Sequence, residues 1–219
     1  MSARYTAVLF DFDFTLADSS DGVVECVRYA LGKLGLPCPS TTTILATVGL
    51  SLAQTYERLT GRCDPGEVAR FRGLFVERAD EVMAAGTRIY PSVAPVLAAL
   101  TAAGCRLGIV STKFRYRMES ILSRDGLREW FAVIVGGEDV GQEKPDPTGL
   151  LEALHRLGVA PDRAAYVGDS EVDGETACRA GVDFVGVLTG TTGRGALAVW
   201  SPVALAADLS GVPTAVGVA

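Results

Sequence analysis

The sequence predicts an α/β protein in which a parallel sheet flanked by helices carries an inserted α-helical domain. From Tyr90 onward, short apolar runs alternate with amphipathic stretches of helical length, the pattern of right-handed βαβ units and a parallel sheet. These runs are apolar throughout, as expected for strands buried on both faces. A first apolar run, Ala7-Val8-Leu9-Phe10, lies far upstream. The roughly seventy residues between it and Tyr90 are too many for a plain βα loop, so they predict a second structural unit.

Composition and charge narrow the classes of function. The chain has 219 residues, of which 48% are hydrophobic, enough for a full core and one smaller domain. Its formal net charge of −6 disfavours nucleic acid as a partner. No apolar run reaches the roughly 18 residues of a bilayer-spanning helix. Asp11 and Asp13 interrupt the N-terminal apolar stretch, so neither a membrane partner nor a signal peptide is expected. The five cysteines are scattered without a CxxC pattern, which indicates reduced thiols and a cytoplasmic protein.

The inserted segment is predicted to be entirely helical. Ser19 or Ser20 can cap a first helix, whose apolar residues recur at helical spacing as far as Leu34. Asp64-Pro65 is a typical start of a longer helix, which Gly86 ends. Two shorter helices are expected between these, at 41–48 and 50–59.

The remaining elements alternate between strand and helix. Strands are predicted at 106–110, 132–135, 164–167 and 184–188. Helices are predicted at 91–103, 116–124, 148–157 and 171–180. The stretch after Gly190 is poorly patterned apart from a short final strand at 203–205. The domain boundaries follow from this order: a Rossmann-like core of residues 1–16 and 89–219, and a helical insert of residues 17–88.

Two carboxylates, Asp11 and Asp13, directly follow the first predicted strand. Open α/β sheets bind their ligands at the carboxyl ends of the strands, and residues i and i+2 of an extended chain share a face. Two like charges held close together repel each other, so a bound cation or a shared proton must compensate. The pair is therefore the first candidate for a functional site.

Three more polar motifs fall at or after the carboxyl ends of predicted strands. Ser111-Thr112 ends one strand, Gly168-Asp169-Ser170-Glu171-Val172-Asp173 ends another, and Lys144-Pro145 lies in the loop after a third. Since all these strand ends lie on one edge of a parallel sheet, four distant segments are expected to meet in one crevice.

Carboxylates that converge on one point suit a hard cation with oxygen ligands, and Mg²⁺ takes few protein ligands and keeps several waters. Asp11 and Asp169 are predicted to bind it through their side chains, and Asp13 through its backbone carbonyl. Asp173 lies four residues after Asp169, on the same helix face, as a further ligand or as a partner of the ligands. The chain lacks a His or Cys cluster, so a zinc site is not expected.

The same residues fit phosphoryl transfer. Lys144 can bind a phosphate oxygen and a buried carboxylate together, and Ser111 adds a hydroxyl donor beside the N–H groups of the following helix. Asp11 is the candidate nucleophile, which would form an acyl-phosphate intermediate, and Asp13 is the candidate general acid and base. Catalytic roles are assigned to Asp11, Asp13, Ser111 and Lys144, and substrate binding to Thr15, Ser111, Thr112 and Lys144.

Together the four motifs resemble those of the haloacid dehalogenase superfamily, and the likeness covers nearly the whole chain. The matching residues are Asp11-Phe12-Asp13-Phe14-Thr15-Leu16, Ser111-Thr112, Lys144-Pro145-Asp146-Pro147 and Gly168-Asp169-Ser170-Glu171-Val172-Asp173. The helical insert is similar to the type 1 cap of the branch that contains phosphoglycolate phosphatase and β-phosphoglucomutase. The resemblance implies a Mg²⁺-dependent phosphatase that hydrolyses a small phosphorylated metabolite through an aspartyl-phosphate. One departure is Phe14, where many relatives have glycine, and a stiffer hinge between core and cap is expected from it.

Two further segments are candidates for contacts with the substrate. Lys113, Arg115 and Arg117 follow Ser111-Thr112 and are predicted to form a solvated helix face, although Lys113 or Arg115 is close enough in sequence to reach the substrate. Residues 48–56 of the insert resemble the cap loop of phosphoglycolate-phosphatase-like members, which makes them candidates for substrate selectivity.

Other activities of the same superfamily stay open as alternatives. Phosphomutases of this branch tend to carry a histidine on the first cap helix, where this chain has Asp21-Gly22-Val23-Val24. Dehalogenases do not need the second aspartate, which is present here as Asp13. Phosphonatases need a Schiff-base lysine, and Lys33 is the only lysine of the insert. A non-enzymatic binding protein would be expected to lack Asp11 or Asp13. A phosphatase is favoured over a mutase, a pyrophosphatase or a dehalogenase, and a monomer or homodimer is expected.

Overall fold

The structure is a computed structural model that describes residues 4–218. Within it the chain forms two compact units. The core unit combines the chain up to Ala17 with the residues from Ile89 onward, and the helical unit spans Asp18–Arg88. Among the described residues, no helix is long and apolar enough to cross a membrane.

Strands and helices alternate through most of the core unit, whereas helices follow one another in the helical unit. The strands are β1 (Ala7–Phe10), β2 (Ala17–Asp18), β3 (Arg88–Ile89), β4 (Arg106–Val110), β5 (Val133–Val135), β6 (Ala164–Gly168), β7 (Asp183–Val187) and β8 (Ala204–Ala206). The helices are α1 (Ser20–Lys33), α2 (Thr41–Leu45), α3 (Leu52–Thr60), α4 (Pro65–Val82), α5 (Val93–Ala102), α6 (Arg115–Arg124), α7 (Thr148–Leu157), α8 (Glu171–Ala180), α9 (Arg194–Ala198) and α10 (Val212–Ala215).

The core unit is built on a six-stranded sheet with the strand order β5-β4-β1-β6-β7-β8. All neighbouring strands are parallel, so each connection has to cross over a face of the sheet, as helical crossovers do. β1 lies in the middle, and all four of its residues are buried, which explains why the first apolar run shows no polar alternation. The predicted α/β fold class is confirmed.

The apolar core of this unit joins the sheet to the helices that follow the strands. Leu150 and Leu154 of α7 and Ala177 of α8 are buried together with Leu9 of β1 and Tyr166 of β6. Because side chains of the strands and of the helices interlock, the positions of the strand ends relative to one another are determined by packing.

The helical unit has an apolar core of its own. Val27 and Leu31 of α1 are buried with Tyr56 of α3 and with Phe71 and Phe75 of α4, and the ring centroids of Tyr56 and Phe71 lie 5.3 Å apart. The spacing of these residues along each helix places them on one face, so the unit is stabilised by packing of amphipathic helices.

Helix starts in this unit follow from local sequence signals. The side chains of Ser40, Ser51 and Asp64 each accept a hydrogen bond from the backbone N–H three residues further on. Pro65 then occupies the first turn of α4, where its missing N–H costs nothing. The helical character of the insert is therefore readable from the sequence.

The structure confirms most predicted elements and corrects some of their ends. β4, α7 and α8 have the predicted bounds. α2 ends at Leu45, where a helix over 41–48 was predicted, because the chain continues in tight turns to Gly49, whose φ of 94° is left-handed. Beyond Gly190, only a strand near β8 was predicted. The accompanying helices α9 and α10 have 5 and 4 residues, too few to display a helical period.

Candidate active site at the carboxyl edge of the sheet

Three strands of the core unit end next to polar residues. Asp11 follows β1, Ser111 follows β4, and Asp169 follows β6. The ladder continues into these residues, because the Asp11 N–H donates to the Val167 carbonyl at 2.8 Å and the Ser111 N–H donates to the Val135 carbonyl at 3.1 Å. The backbones of Asp11 and Ser111 are thus held by the sheet, which gives their side chains fixed origins.

Three buried carboxylates come together at this edge. Asp11, Asp169 and Asp173 each offer an oxygen, and the three atoms lie within 4.8 Å of one another. Their residues are 2%, 4% and 0% exposed. Carboxylates at this depth are costly unless cations or hydrogen bonds balance them, so the group defines a site that needs positive charge.

Lys144 supplies part of that charge. Its ammonium donates to Asp11 Oδ1 at 2.7 Å, to Asp173 Oδ1 at 2.6 Å and to the hydroxyl of Tyr166 at 3.0 Å. Tyr166 in turn donates to the carbonyl of Val110 at 2.7 Å. The lysine side chain is 4% exposed, and its three acceptors hold it in one place between two carboxylates.

The pKa values follow from burial and from these charges. Burial raises the pKa of Asp11 to about 6, and Lys144 opposes the shift. Burial and the neighbouring Asp173 raise the pKa of Asp169 well above its usual range. Burial alone would lower the pKa of Lys144, but Asp11 and Asp173 outweigh it and raise the pKa. One ammonium therefore does not balance three carboxylates, and a further cation would relieve the excess negative charge.

The donor set fits a hard divalent cation. All three candidate side chains offer carboxylate oxygens, the ligands that Mg²⁺ and Ca²⁺ prefer. Asp169 Oδ1 accepts from the Thr15 hydroxyl at 3.1 Å. A Cβ atom added at Gly190 would lie 1.8 Å from Asp169 Oδ2, so only glycine leaves room for this oxygen. Thr15, predicted to bind substrate, is thus placed beside a candidate metal ligand.

Asp173 has both carboxylate oxygens engaged within the protein. Oδ1 accepts from Lys144, and Oδ2 accepts from the backbone N–H and the hydroxyl of Ser170 at 3.0 and 2.5 Å. Gly168 makes room for the side chain, because a Cβ there would lie 2.4 Å from that of Asp173. These bonds favour the alternative in which Asp173 is a partner of the ligands over the one in which it is a ligand.

Asp13 lies apart from the other carboxylates. Among the described residues its side chain is not part of the three-carboxylate group, and its two oxygens instead accept from the ammonium of Lys113 at 2.9 and 3.3 Å. The three-carboxylate group thus contains the side chain of Asp173 and not that of Asp13. The predicted metal contact through the Asp13 backbone carbonyl stays a prediction.

The expectation of a solvated basic face after Ser111-Thr112 is wrong for two of its three residues. Lys113 and Arg117 are 8% and 6% exposed, and only Arg115 is more open. α6 begins at Arg115, so Lys113 lies in the loop at the strand end and not on a helix. Lys113 is only two residues after Ser111, which follows the predicted strand. This closeness to the strand end is the signal in the sequence that indicates a place in the site.

Ser111 and Thr112 occupy the loop after β4, as predicted. Ser111 is buried, and its hydroxyl oxygen accepts from the Lys113 N–H at 3.3 Å. Thr112 is partly exposed. Both lie on the same sheet edge as Asp11. A phosphate group bound by Lys144 at this edge would lie in the same site as these two residues.

Phe14 adopts a backbone conformation that glycine reaches without strain. Its φ is 61°, which is left-handed and strained for a bulky side chain. The turn is closed by the Phe14 N–H, which donates to the Ala17 carbonyl at 2.7 Å, and by the Thr189 hydroxyl, which donates to the Phe14 carbonyl. Tertiary contacts therefore hold a conformation that the residue itself disfavours.

Comparison with known proteins identifies the family of this chain. The family model of haloacid dehalogenase-like hydrolases matches residues 8–187, and the chain belongs to this family. A haloacid dehalogenase-like hydrolase from Bacteroides fragilis has a similar crystal structure, with a TM-score of 0.93 and 41% identity over 95% of this chain and 99% of that chain. The resemblance noted from the four motifs is confirmed.

Curated relatives narrow the class of activity. The phosphoglycolate phosphatase of Salmonella choleraesuis strain SC-B67 is 34% identical over 216 residues, covering 89% of this chain and 86% of that protein. The phosphoglycolate phosphatase of Escherichia coli strain K12 is 34% identical over 204 residues, with coverages of 84% and 81%. The chain is an enzyme of the phosphoric monoester hydrolase class.

Proposed function

We propose that this protein is a Mg²⁺-dependent phosphatase that hydrolyses a small phosphorylated metabolite through an aspartyl-phosphate on Asp11. The observation that carries the proposal is the buried group of Asp11, Asp169 and Asp173 around the ammonium of Lys144. Such a site has an oxygen nucleophile, a fixed cation for phosphate and an excess of negative charge that a divalent cation would balance.

The reaction has two steps on this chain's own residues. A carboxylate oxygen of Asp11 attacks phosphorus, the ester P–O bond breaks, and Asp13 gives its proton to the leaving oxygen. Water then attacks the phosphorus of the aspartyl-phosphate while Asp13 takes the water proton, and the bond to Asp11 breaks. The net reaction consumes one water and releases an alcohol and inorganic phosphate.

The remaining residues prepare the site for these steps. Lys144 neutralises charge between Asp11 and the phosphate, and Ser111 with Thr112 and the N–H groups of their loop binds the phosphate oxygens. Thr15 orients Asp169 and lies close to the incoming phosphate. Mg²⁺ would be held by Asp11, Asp169 and the Asp13 carbonyl, with Asp173 positioning Lys144, and when bound it supplies further neutralisation of the phosphate charge.

The name of the curated relatives makes 2-phosphoglycolate the first substrate to assay. A mutase is less well supported, because the only histidine of the chain, His155, lies exposed on α7. A cytoplasmic location is supported by the cysteines, none of which forms a disulfide within the part of the chain that the structure describes. The partner that we propose is a small phosphorylated metabolite of the cytoplasm, which the enzyme binds as its substrate.

A panel of phosphorylated small molecules tests this function through the release of inorganic phosphate. We expect hydrolysis of at least one phosphoester with Mg²⁺, no hydrolysis after chelation with EDTA, and recovery when Mg²⁺ is returned. Ca²⁺ should bind without supporting turnover, because its larger and looser shell misplaces the nucleophile. Full activity in EDTA, or no release from any phosphoester, contradicts the proposal.

A further inference from the structure

The chain contains three lysines, and the structure buries two of them. Lys144 is bound by two carboxylates and a tyrosine. The side chain of Lys113 is 4% exposed, and the Asp13 carboxylate is its one acidic partner among the residues described. An ammonium removed from water costs several kcal/mol unless it is paired, so this second lysine is committed to a single carboxylate.

The backbone of Lys113 is held from both sides. Its N–H donates to the Ser111 hydroxyl oxygen at 3.3 Å, and its carbonyl accepts from the Gly137 N–H at 3.2 Å. The ammonium therefore extends from a fixed origin, over the ring of Phe12 at 5.7 Å from the centroid. The fixed backbone and the Phe12 ring limit the positions that the ammonium can reach.

Two glycines allow the neighbouring loop to press against this segment. A Cβ atom at Gly136 would lie 2.3 Å from the Arg115 nitrogen, and one at Gly137 would lie 2.5 Å from the Thr112 carbonyl oxygen. Both contacts are with backbone atoms, so any larger residue would move one of the two loops. The loop after β5 therefore packs against the segment 111–115 and limits its movement.

Acidic residues of the same loop complete the attachment. Glu138 accepts from the Arg115 N–H at 2.8 Å, and Asp139 accepts from the Arg115 guanidinium at 2.9 Å and from the Gly136 N–H at 2.9 Å. These bonds tie the two loops together at the exposed side, while the glycine contacts join them inside. The chain of support thus runs from the loop after β5 through segment 111–115 to Lys113.

We propose that Lys113, supported by the loop 136–139, is the positioning residue of Asp13. The proposal rests on the proposed function, in which Asp13 is the general acid and base. A carboxylate that both gives and takes a proton has to keep one orientation through two steps, and an error of about 1 Å in such a group can cost roughly 100-fold in rate. Lys113 binds both oxygens and removes the rotational freedom that Asp13 would have in its absence. Lys144 thus serves the nucleophile and the phosphate, and Lys113 serves the proton transfers.

Dependence on the leaving group separates this role from a merely structural one. An alkoxide needs a proton as it leaves, whereas p-nitrophenolate needs little help. In single-turnover experiments with Mg²⁺, we expect Lys113→Met to slow phosphorylation by an alkyl phosphate about 30-fold or more, and by p-nitrophenyl phosphate less than about 3-fold. KM should change little, and Lys113→Arg should restore most of the rate, since a guanidinium also binds both oxygens of a carboxylate.

A double-mutant cycle with Asp13→Ala identifies the residue through which Lys113 acts. If Lys113 only positions Asp13, the double variant should be no slower with the alkyl phosphate than Asp13→Ala alone. Losses that multiply in the double variant would overturn the proposal, as would equal losses with both substrates. Lys33→Met, which removes the exposed lysine of α1, is the matched control and should behave like the wild type.

A second route covers the case in which Lys113→Met does not fold, as judged by its melting transition. Gly137→Ala keeps both charges and presses on the Thr112 carbonyl, one residue before Lys113. The same preference for damage to the alkyl substrate is expected, and equal damage to both substrates overturns the proposal. Failure of the proposed function looks different, because the wild type would then release phosphate from neither ester. If Asp13→Ala is leaving-group selective and the Lys113 and Gly137 variants are not, only the positioning role is wrong.

Discussion

The core unit and the helical unit bury different kinds of residue. Among the described residues, the buried charged side chains all belong to the core unit: Asp11, Lys113, Arg117, Lys144, Asp169 and Asp173. The helical unit keeps its ion pairs at the surface. In the pair between Arg62 and Glu67 the side chains are 53% and 36% exposed, and the inside of the unit is an aromatic and aliphatic cluster.

This difference indicates that the buried charges of the core unit serve function, whereas the apolar core of the helical unit serves stability. Replacement of a buried ion pair by apolar residues of similar volume is often neutral or stabilising, so stability alone does not account for six buried charges in the core unit. Five of the six, all except Arg117 on α6, belong to the candidate site or pair with one of its residues. Strongly perturbed pKa values, such as those of Asp11, Lys144 and Asp169, are typical of functional sites. The helical unit has the ordinary construction of a stable amphipathic bundle.

The largest effect that would sharpen the contrast is expected for Asp11→Asn. An amide cannot attack phosphorus, so the rate should fall at least about 1000-fold, while the nearly isosteric substitution leaves the fold intact. Steady-state phosphate release and a melting curve measure both quantities. The control Asp80→Asn, an exposed residue of α4 in the helical unit, should keep wild-type activity. A tenth of the wild-type rate in Asp11→Asn would rule out the nucleophile assignment.

The stability of the metal-free wild type should depend on pH, because two of its buried carboxyl groups have raised pKa values. Burial and neighbouring carboxylates raise the pKa of Asp169, and that of Asp11 to about 6. A carboxyl group with a raised pKa binds protons more tightly in the folded state, so its stability contribution is present below its usual pKa near 4 and is lost as the pH rises through the folded pKa. The wild type in EDTA should therefore lose stability between about pH 4 and pH 6 on this account.

Asp169→Asn removes one of these charges and tests the sign. In EDTA at pH 7.5 it should be more stable than the wild type, and the gain should shrink at pH 5. With Mg²⁺ the order should reverse, because an amide is a weaker ligand. Urea denaturation at the two pH values measures the difference in free energy of unfolding between the variant and the wild type. A variant less stable than the wild type in EDTA at pH 7.5 would show that the charge of Asp169 does not destabilise the fold.

A smaller and different effect is expected for Leu50→Ala in the helical unit. In the proposed function the site residues of the core unit bind the phosphate group, which all phosphoesters share, so we assign selectivity to the 48–56 segment. The substitution should raise KM several-fold, in line with about 1–3 kcal/mol for an apolar contact, and change the ranking of substrates. Mg²⁺ affinity should stay the same. An unchanged ranking across the phosphoester panel would place selectivity in the core unit.

The smallest effect is expected for Arg78→Met, which removes two ion pairs from the surface of the helical unit. Arg78 binds Glu25 and Glu81, whose side chains are 48% and 60% exposed. Exposed pairs contribute little because water and salt screen them, so the melting temperature and kcat should both be close to the wild-type values. A large loss of stability would show that the surface of this unit matters as much as its apolar core.

Much of the fold and the site was open to prediction because the signals are local. A buried parallel strand is an unbroken apolar run, as in Ala7-Val8-Leu9-Phe10, and an amphipathic helix repeats its apolar residues every three to four positions. The residue after such a strand lies at the ligand-binding edge, which identified Asp11, Ser111 and Asp169 before any contact was known. The helices α9 and α10 were missed because so few residues do not reveal a period.

Other features of the site were decided by tertiary structure alone. Lys113 reads as part of a basic surface, and its burial depends on Asp13, which is 100 residues away in the chain. The left-handed turn at Phe14 contradicts the preference of that residue, and Thr189, which follows β7, holds it. Periodicity and strand ends are properties of neighbouring residues, so the sequence by itself determined the fold class and the sheet edge at which the candidate site lies. The free-energy cost of burying a charged side chain depends on which groups from distant parts of the chain pair with it. Only the tertiary structure therefore decides that Asp13 pairs with Lys113 and Asp173 with Lys144.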